Sequence, residues 1–176
     1  MDHAKELFFK YNGNRFYMDL NGEGHEYDKY HISRETEEKW AEECILSFLD
    51  SKTHGKEAVR RYSAVAELLK SSTESYIWEK CLYYPLRARH LDDISILFML
   101  PNSFTLVERA VKKGGFIKND AVAYIQELDR YITQVQKRAD NGTLRRNTDY
   151  GMQEFSDPVY VSNYLYSLRK KWDGLF

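Results

Sequence analysis

Five ionisable side chains crowd between positions 87 and 93: Arg87, Arg89, His90, Asp92 and Asp93. A base, two carboxylates and two cations are the parts of a hydrolytic or phosphoryl-transfer site. The same mix also suits a solvated helix end with local ion pairs, and that account is preferred. A small hydrolase or phosphoryl-transfer enzyme with its site near Arg87–Asp93 therefore ranks third among the functions considered.

Two other segments resemble metal sites and miss on spacing. His25 and His31 bracket His-Glu-Tyr-Asp-Lys-Tyr-His, but they lie six apart. A zinc-binding helix needs histidines four apart, so that both imidazoles leave one face. Asp19-Leu20-Asn21-Gly22-Glu23-Gly24 matches the first half of a calcium loop, with oxygen donors at positions 1, 3 and 5 and glycine at 6. Position 12, which should be a bidentate glutamate, is Tyr30. No metal and no cofactor is expected. A Gly-x-Ser-x-Gly elbow and a phosphate-binding Gly-x-x-x-x-Gly-Lys loop are both missing from the chain. Cys44 and Cys81 fall on apolar helical stripes and are expected to be buried thiols. The chain is expected to be non-catalytic.

Basic residues bracket the second half of the chain. Arg109, Lys112, Lys113 and Lys118 flank Gly114-Gly115, while Lys137, Arg138, Arg145 and Arg146 border an aperiodic stretch that contains Tyr150 and Phe155. Cations interleaved with rings suit a nucleic acid, so a nucleic-acid-associated protein using the basic 109–146 segment is the second option, with Arg138, Arg145 and Arg146 as its contacts. Against it, the isoelectric point is about 6.5. Cations near helix C-termini are also expected from the helix dipole alone.

Protein binding is the first option. The net charge of −1 conceals six Lys/Arg against twelve Asp/Glu in residues 1–50, and twenty against fifteen thereafter. If these halves form different faces, the molecule is electrically dipolar and its acidic face would steer a basic partner. Fourteen tyrosines supply rigid, amphipathic contact area. The expected function is that of a regulatory or inhibitory protein binding another macromolecule, a protein. Glu37, Glu38, Glu42 and Tyr150 are its candidate contacts, within the acidic 19–43 region and the 141–156 loop. A charged N-terminus without an apolar signal core, and a longest apolar run of five residues (Ile96–Leu100), point to the cytoplasm.

The elements that must position these residues are legible from periodicity. A length of 176 residues predicts one domain. Leu7–Tyr11 and Arg15–Leu20 flank Asn12-Gly13-Asn14, which reads as a β-hairpin over 6–20 with a type I′ turn. Ser33 should cap a helix whose stripe is Trp40, Ala41, Cys44, Ile45, Phe48 and Leu49. A second stripe runs Val59, Tyr62, Val65, Ala66, Leu69, and a third Ile77, Cys81, Tyr84, ending or kinking at Pro85. Residues 94–100 fit a buried strand or a buried helix, with helix slightly favoured by Asp92-Asp93. After Pro101, Ser103 should cap a further helix. Ala121–Val135 continues the pattern up to Asn141-Gly142, and Asp157-Pro158 should open the last helix. The predicted architecture is α+β, mainly α: an N-terminal β-hairpin packed on an irregular bundle of five to six helices over 33–173, with a long loop at 141–156.

Overall fold

The computed structural model describes residues 2–69, 75–112, 118–146 and 153–173. Among them there is no strand; the elements are nine α-helices and one short 3-10 turn. The fold is all-α, and the expected β-hairpin is replaced by two helices, α1 (Asp2–Lys10) and α2 (Arg15–Leu20).

The reason lies in the Asn-Gly pair. Asn12 and Gly13 do take positive φ (50° and 65°), but they end a helix instead of reversing a strand. The Gly13 N–H donates to the Phe8 carbonyl at 2.8 Å and the Asn12 N–H to the Phe9 carbonyl at 3.2 Å. That is the double bond pattern of a Schellman C-cap. Gly13 is also required for space, because a Cβ there would sit 2.8 Å from the Phe8 ring. Asn14 then caps α2 by accepting from the Tyr17 N–H. Leu7-Phe8-Phe9 does not alternate, as a half-buried strand must; Ala4, Leu7, Phe8 and Tyr11 recur with helical spacing, and the first three are buried. Phe8 meets Trp40 edge-on at 5.6 Å.

After α3 (Gly24–Asp28), α4 (Arg34–Asp50) starts at Ser33, whose hydroxyl accepts from the Thr36 N–H at 3.2 Å. It buries Trp40, Ala41, Ile45 and Phe48 against the rest of the fold. α1 lies on α4, α2 on α3, and α4 on the next two helices, α5 (Gly55–Leu68) and α6 (Ser75–Arg87). The acid-rich first fifty residues therefore form one contiguous layer.

α7 (Asp93–Lys112) is the central helix, packed by α5, α6, α8 (Lys118–Asp140) and α9 (Pro158–Asp173). Ile94, Ser95, Ile96, Leu97, Met99 and Leu100 are all buried, as in a helix covered on every side. This accounts for the unpatterned apolar run at 94–100. Asp92, not Ser103, caps it: its carboxylate accepts from the Ser95 N–H at 2.9 Å and the Ser95 hydroxyl at 2.6 Å.

Prolines at 85 and 101 are expected to break helices, yet both lie inside one. Each proline leaves the carbonyl four residues earlier without its donor. A tyrosine hydroxyl replaces that donor in both cases. Tyr62 donates to the Cys81 carbonyl at 3.0 Å, and Tyr164 donates to the Leu97 carbonyl at 3.1 Å. Ser103, expected to start a helix, is instead buried mid-helix with its hydroxyl 2.8 Å from that of Tyr62.

Of the expected 141–156 loop, residues 141–146 and 153–156 are described. Its end forms the 3-10 turn Gln153–Ser156, and Phe155 is buried among Phe98, Tyr160 and Tyr164. Tyr150 lies outside the described residues.

Candidate functional site

An exposed apolar cluster lies on α2. Phe16, Tyr17 and Leu20 are 68%, 52% and 69% exposed, while Met18 alone points into the core. Phe16 and Tyr17 pack edge to face at 5.6 Å, so the ridge presents two rings and an aliphatic tip together. Its position is set by a polar clasp. Arg15 donates to the Gly24 carbonyl at 2.8 Å, pairs with Asp28 and with Asp19 (3.3 Å), and lies over the Tyr27 ring. Lys10 of α1 reaches Glu23 at 2.8 Å. Tyr27 donates to Glu37 at 2.7 Å; burial, then that carboxylate, pushes its hydroxyl well above the ordinary tyrosine range.

The acidic residues singled out from sequence are therefore partly engaged within the layer itself. Glu37 accepts from Tyr27, and Glu38 pairs with Arg34 at 3.0 Å. Glu42 is half-buried beside them. Outside these three, Glu35 pairs with Lys39 and Glu43 with Lys5. The ridge at Phe16, Tyr17 and Leu20 escapes the sequence reading, because a strand over 15–20 would give those rings a covered face. At 3.6 residues per turn, positions 16, 17 and 20 share one face opposite Met18, and that signal is present in the sequence.

The basic residues proposed for nucleic acid have an internal target. Asp93 has no exposed surface. Arg138 holds both its oxygens at 2.9 Å; Arg145 donates its backbone N–H at 2.9 Å and its guanidinium at 2.8 and 3.1 Å; Tyr131 adds its hydroxyl at 3.2 Å. Burial raises the Asp93 pKa, but the Arg145 and Arg138 hydrogen bonds outweigh it and hold the carboxyl below its usual range. This knot ties the start of α7 to the end of α8 and the 143–146 connection. Arg146 donates to the Ser156 hydroxyl, and Arg109 to the Ala66 carbonyl.

The Arg87–Asp93 constellation is split. Asp92 caps α7 and Asp93 sits in the arginine knot, so neither faces Arg87 or His90. Arg87 stacks over the Tyr83 ring at 4.0 Å. The His90 carbonyl accepts from His54 Nδ1 at 3.2 Å, and the two imidazoles meet edge-on at 5.2 Å. Burial, then His54, holds His90 below its ordinary pKa. Both thiols are pushed up by burial, Cys44 to about 11 and Cys81 to about 12, which keeps them protonated and unreactive. Among the described residues no three His, Cys, Asp or Glu side chains converge as metal ligands, and no helix is long and apolar enough to cross a membrane. No known protein family, curated protein or solved structure matches the chain.

Proposed function

We propose that this chain is a non-catalytic regulatory or inhibitory protein whose N-terminal layer docks a basic, apolar-tipped segment of another protein. The observation that carries the reading is the exposed Phe16–Tyr17–Leu20 ridge. Large rings and aliphatic tips exposed together are what binding surfaces use as anchors, whereas isolated exposed apolar residues are ordinary. The ridge stands in a layer with twice as many carboxylates as cations. Asp19, on the same helix, is more than half exposed. Such a setting favours a partner that carries Lys or Arg beside an aromatic or aliphatic anchor. The two unpaired thiols support a cytoplasmic setting, where thiols stay reduced.

Random peptides displayed on phage and selected on the immobilised protein test this directly. Selected sequences should join Leu, Phe or Trp to Lys or Arg. Binding should fall at least tenfold when Phe16, Tyr17 and Leu20 are all changed to Ser, with the melting temperature unchanged within about 2 °C, since exposed substitutions cost little. Failure to enrich such sequences, or equal binding by the triple variant, would refute the reading.

A further inference from the structure

A second concave feature lies away from the α2 ridge. The C-terminal half of α4 and the outer face of α6 enclose a groove of about 550 Å³. Leu46 and Leu49 supply apolar wall, Tyr83 and Tyr84 add two rings, and Lys80, Arg87 and His90 bring polar groups, with Asp50 at the end of α4. Lys80 and Arg87 are seven residues apart on α6, which places them two turns apart, about 10 Å, along one helix face.

The cations of this groove lie outside the ion pairs that engage many others in the molecule. Arg15, Arg34, Lys39, Arg60, Lys112, Arg138, Arg145 and Arg169 are all in ion pairs. Among the described residues Lys80 and Arg87 contact only aromatic faces, those of Tyr76 at 5.5 Å and Tyr83 at 4.0 Å. A guanidinium lying on a ring is held in place while its N–H donors stay available at its edge. The groove therefore combines an apolar cleft, of a size usual for small-molecule sites, with two cations that form no ion pair among the described residues.

We propose that the α4–α6 groove binds a small aromatic organic anion, with its ring system against Leu46, Leu49 and Tyr83 and its acidic group on Arg87 and Lys80. His90 completes the polar end as a hydrogen-bonding group. An aromatic body is favoured over an acyl chain because Tyr83 and the guanidinium stacked on it form a flat, layered wall. The single carboxylate, Asp50, is outnumbered by the two cations, which sets the sign of the ligand.

Anilinonaphthalene sulfonate is a suitable probe, because it joins flat rings to one anionic group and fluoresces when removed from water. Titration of the full chain should show one saturable site. The double variant Lys80→Gln, Arg87→Gln should bind it about a hundredfold more weakly, roughly tenfold for each cation removed. Lys80→Arg should bind within about threefold of wild type. The uncharged analogue phenylnaphthylamine should lose little between wild type and double variant. Circular dichroism establishes that both variants are folded, and both substitutions lie on the surface. Equal affinity of wild type and double variant for the sulfonate would overturn the proposal. So would loss of probe binding in the Phe16→Ser, Leu20→Ser variant, which would locate the probe on the α2 ridge instead.

Discussion

The substitution of tyrosine hydroxyls for missing proline donors can be measured as a coupling. Tyr164→Phe removes one oxygen and keeps the ring, including its contact with Phe155 at 5.5 Å. The change orphans the Leu97 carbonyl, which Pro101 cannot satisfy and which lies in the buried core of α7. An orphaned buried acceptor costs about 1–3 kcal/mol, and the half-buried position of Tyr164 places this case near about 1.5 kcal/mol. For a chain of this size that lowers the melting temperature by roughly 3–6 °C. In a Pro101→Ala background the alanine N–H returns to the Leu97 carbonyl, so the same Tyr164→Phe change should cost less than about 0.5 kcal/mol. The four proteins form a double-mutant cycle, with an expected coupling of about 1 kcal/mol. Urea unfolding and calorimetry give both quantities, and effects of Pro101→Ala on the unfolded chain cancel within the cycle. An equal fall in stability in the two backgrounds would show that the hydroxyl does not stand in for the missing proline donor.

Two further perturbations test the corrected fold. Asp93→Asn keeps the shape of the buried side chain but leaves Arg138 and Arg145 without their anion, and should cost about 3 kcal/mol or more at pH 7. Because the folded-state pKa of Asp93 lies below the unfolded value, this stability is complete above about pH 4 and is lost as pH falls through the folded pKa. Urea midpoints of wild type and Asp93→Asn, measured from pH 7 downwards, should therefore converge only in acid; a gap that stays constant down to about pH 2 would refute the arginine knot as its origin. Gly13→Ala should cost about 1–2 kcal/mol, from both its positive φ and the 2.8 Å approach to Phe8, whereas Gly22→Ala, with φ 76° but open space around it, should cost only about 1 kcal/mol. Equal melting temperatures for the two variants would show that the Phe8 ring does not constrain position 13.

Helical periodicity alone determined the greater part of the fold. Ser33 as the cap of α4, the α5 stripe at Tyr62, Val65 and Ala66, the end of α8 at Asn141-Gly142 and the Asp157-Pro158 start of α9 all come from local rules, because capping and one-sided burial act within a few residues. The N-terminal helices are legible too once Ala4, Leu7, Phe8 and Tyr11 are placed at 3.6 residues per turn. Asn12-Gly13 misleads because positive φ serves a type I′ turn and a Schellman cap equally, and only the residues on either side of the pair decide between them. Three features belonged to the tertiary structure. Pro85 and Pro101 are tolerated because hydroxyls 23 and 63 residues away in sequence, those of Tyr62 and Tyr164, reach the carbonyls they free. Asp93 is a buried anion instead of a surface one because Arg138 arrives from the far end of α8 and Arg145 from the connection that follows it. Phe16, Tyr17 and Leu20 share a helical face that the sequence spacing shows, but that this face is left uncovered, with Met18 the one buried side chain of α2, is decided by the assembled chain. No local pattern carries that information, since a donor supplied from a distant helix, or a face left uncovered, is a property of the assembled chain.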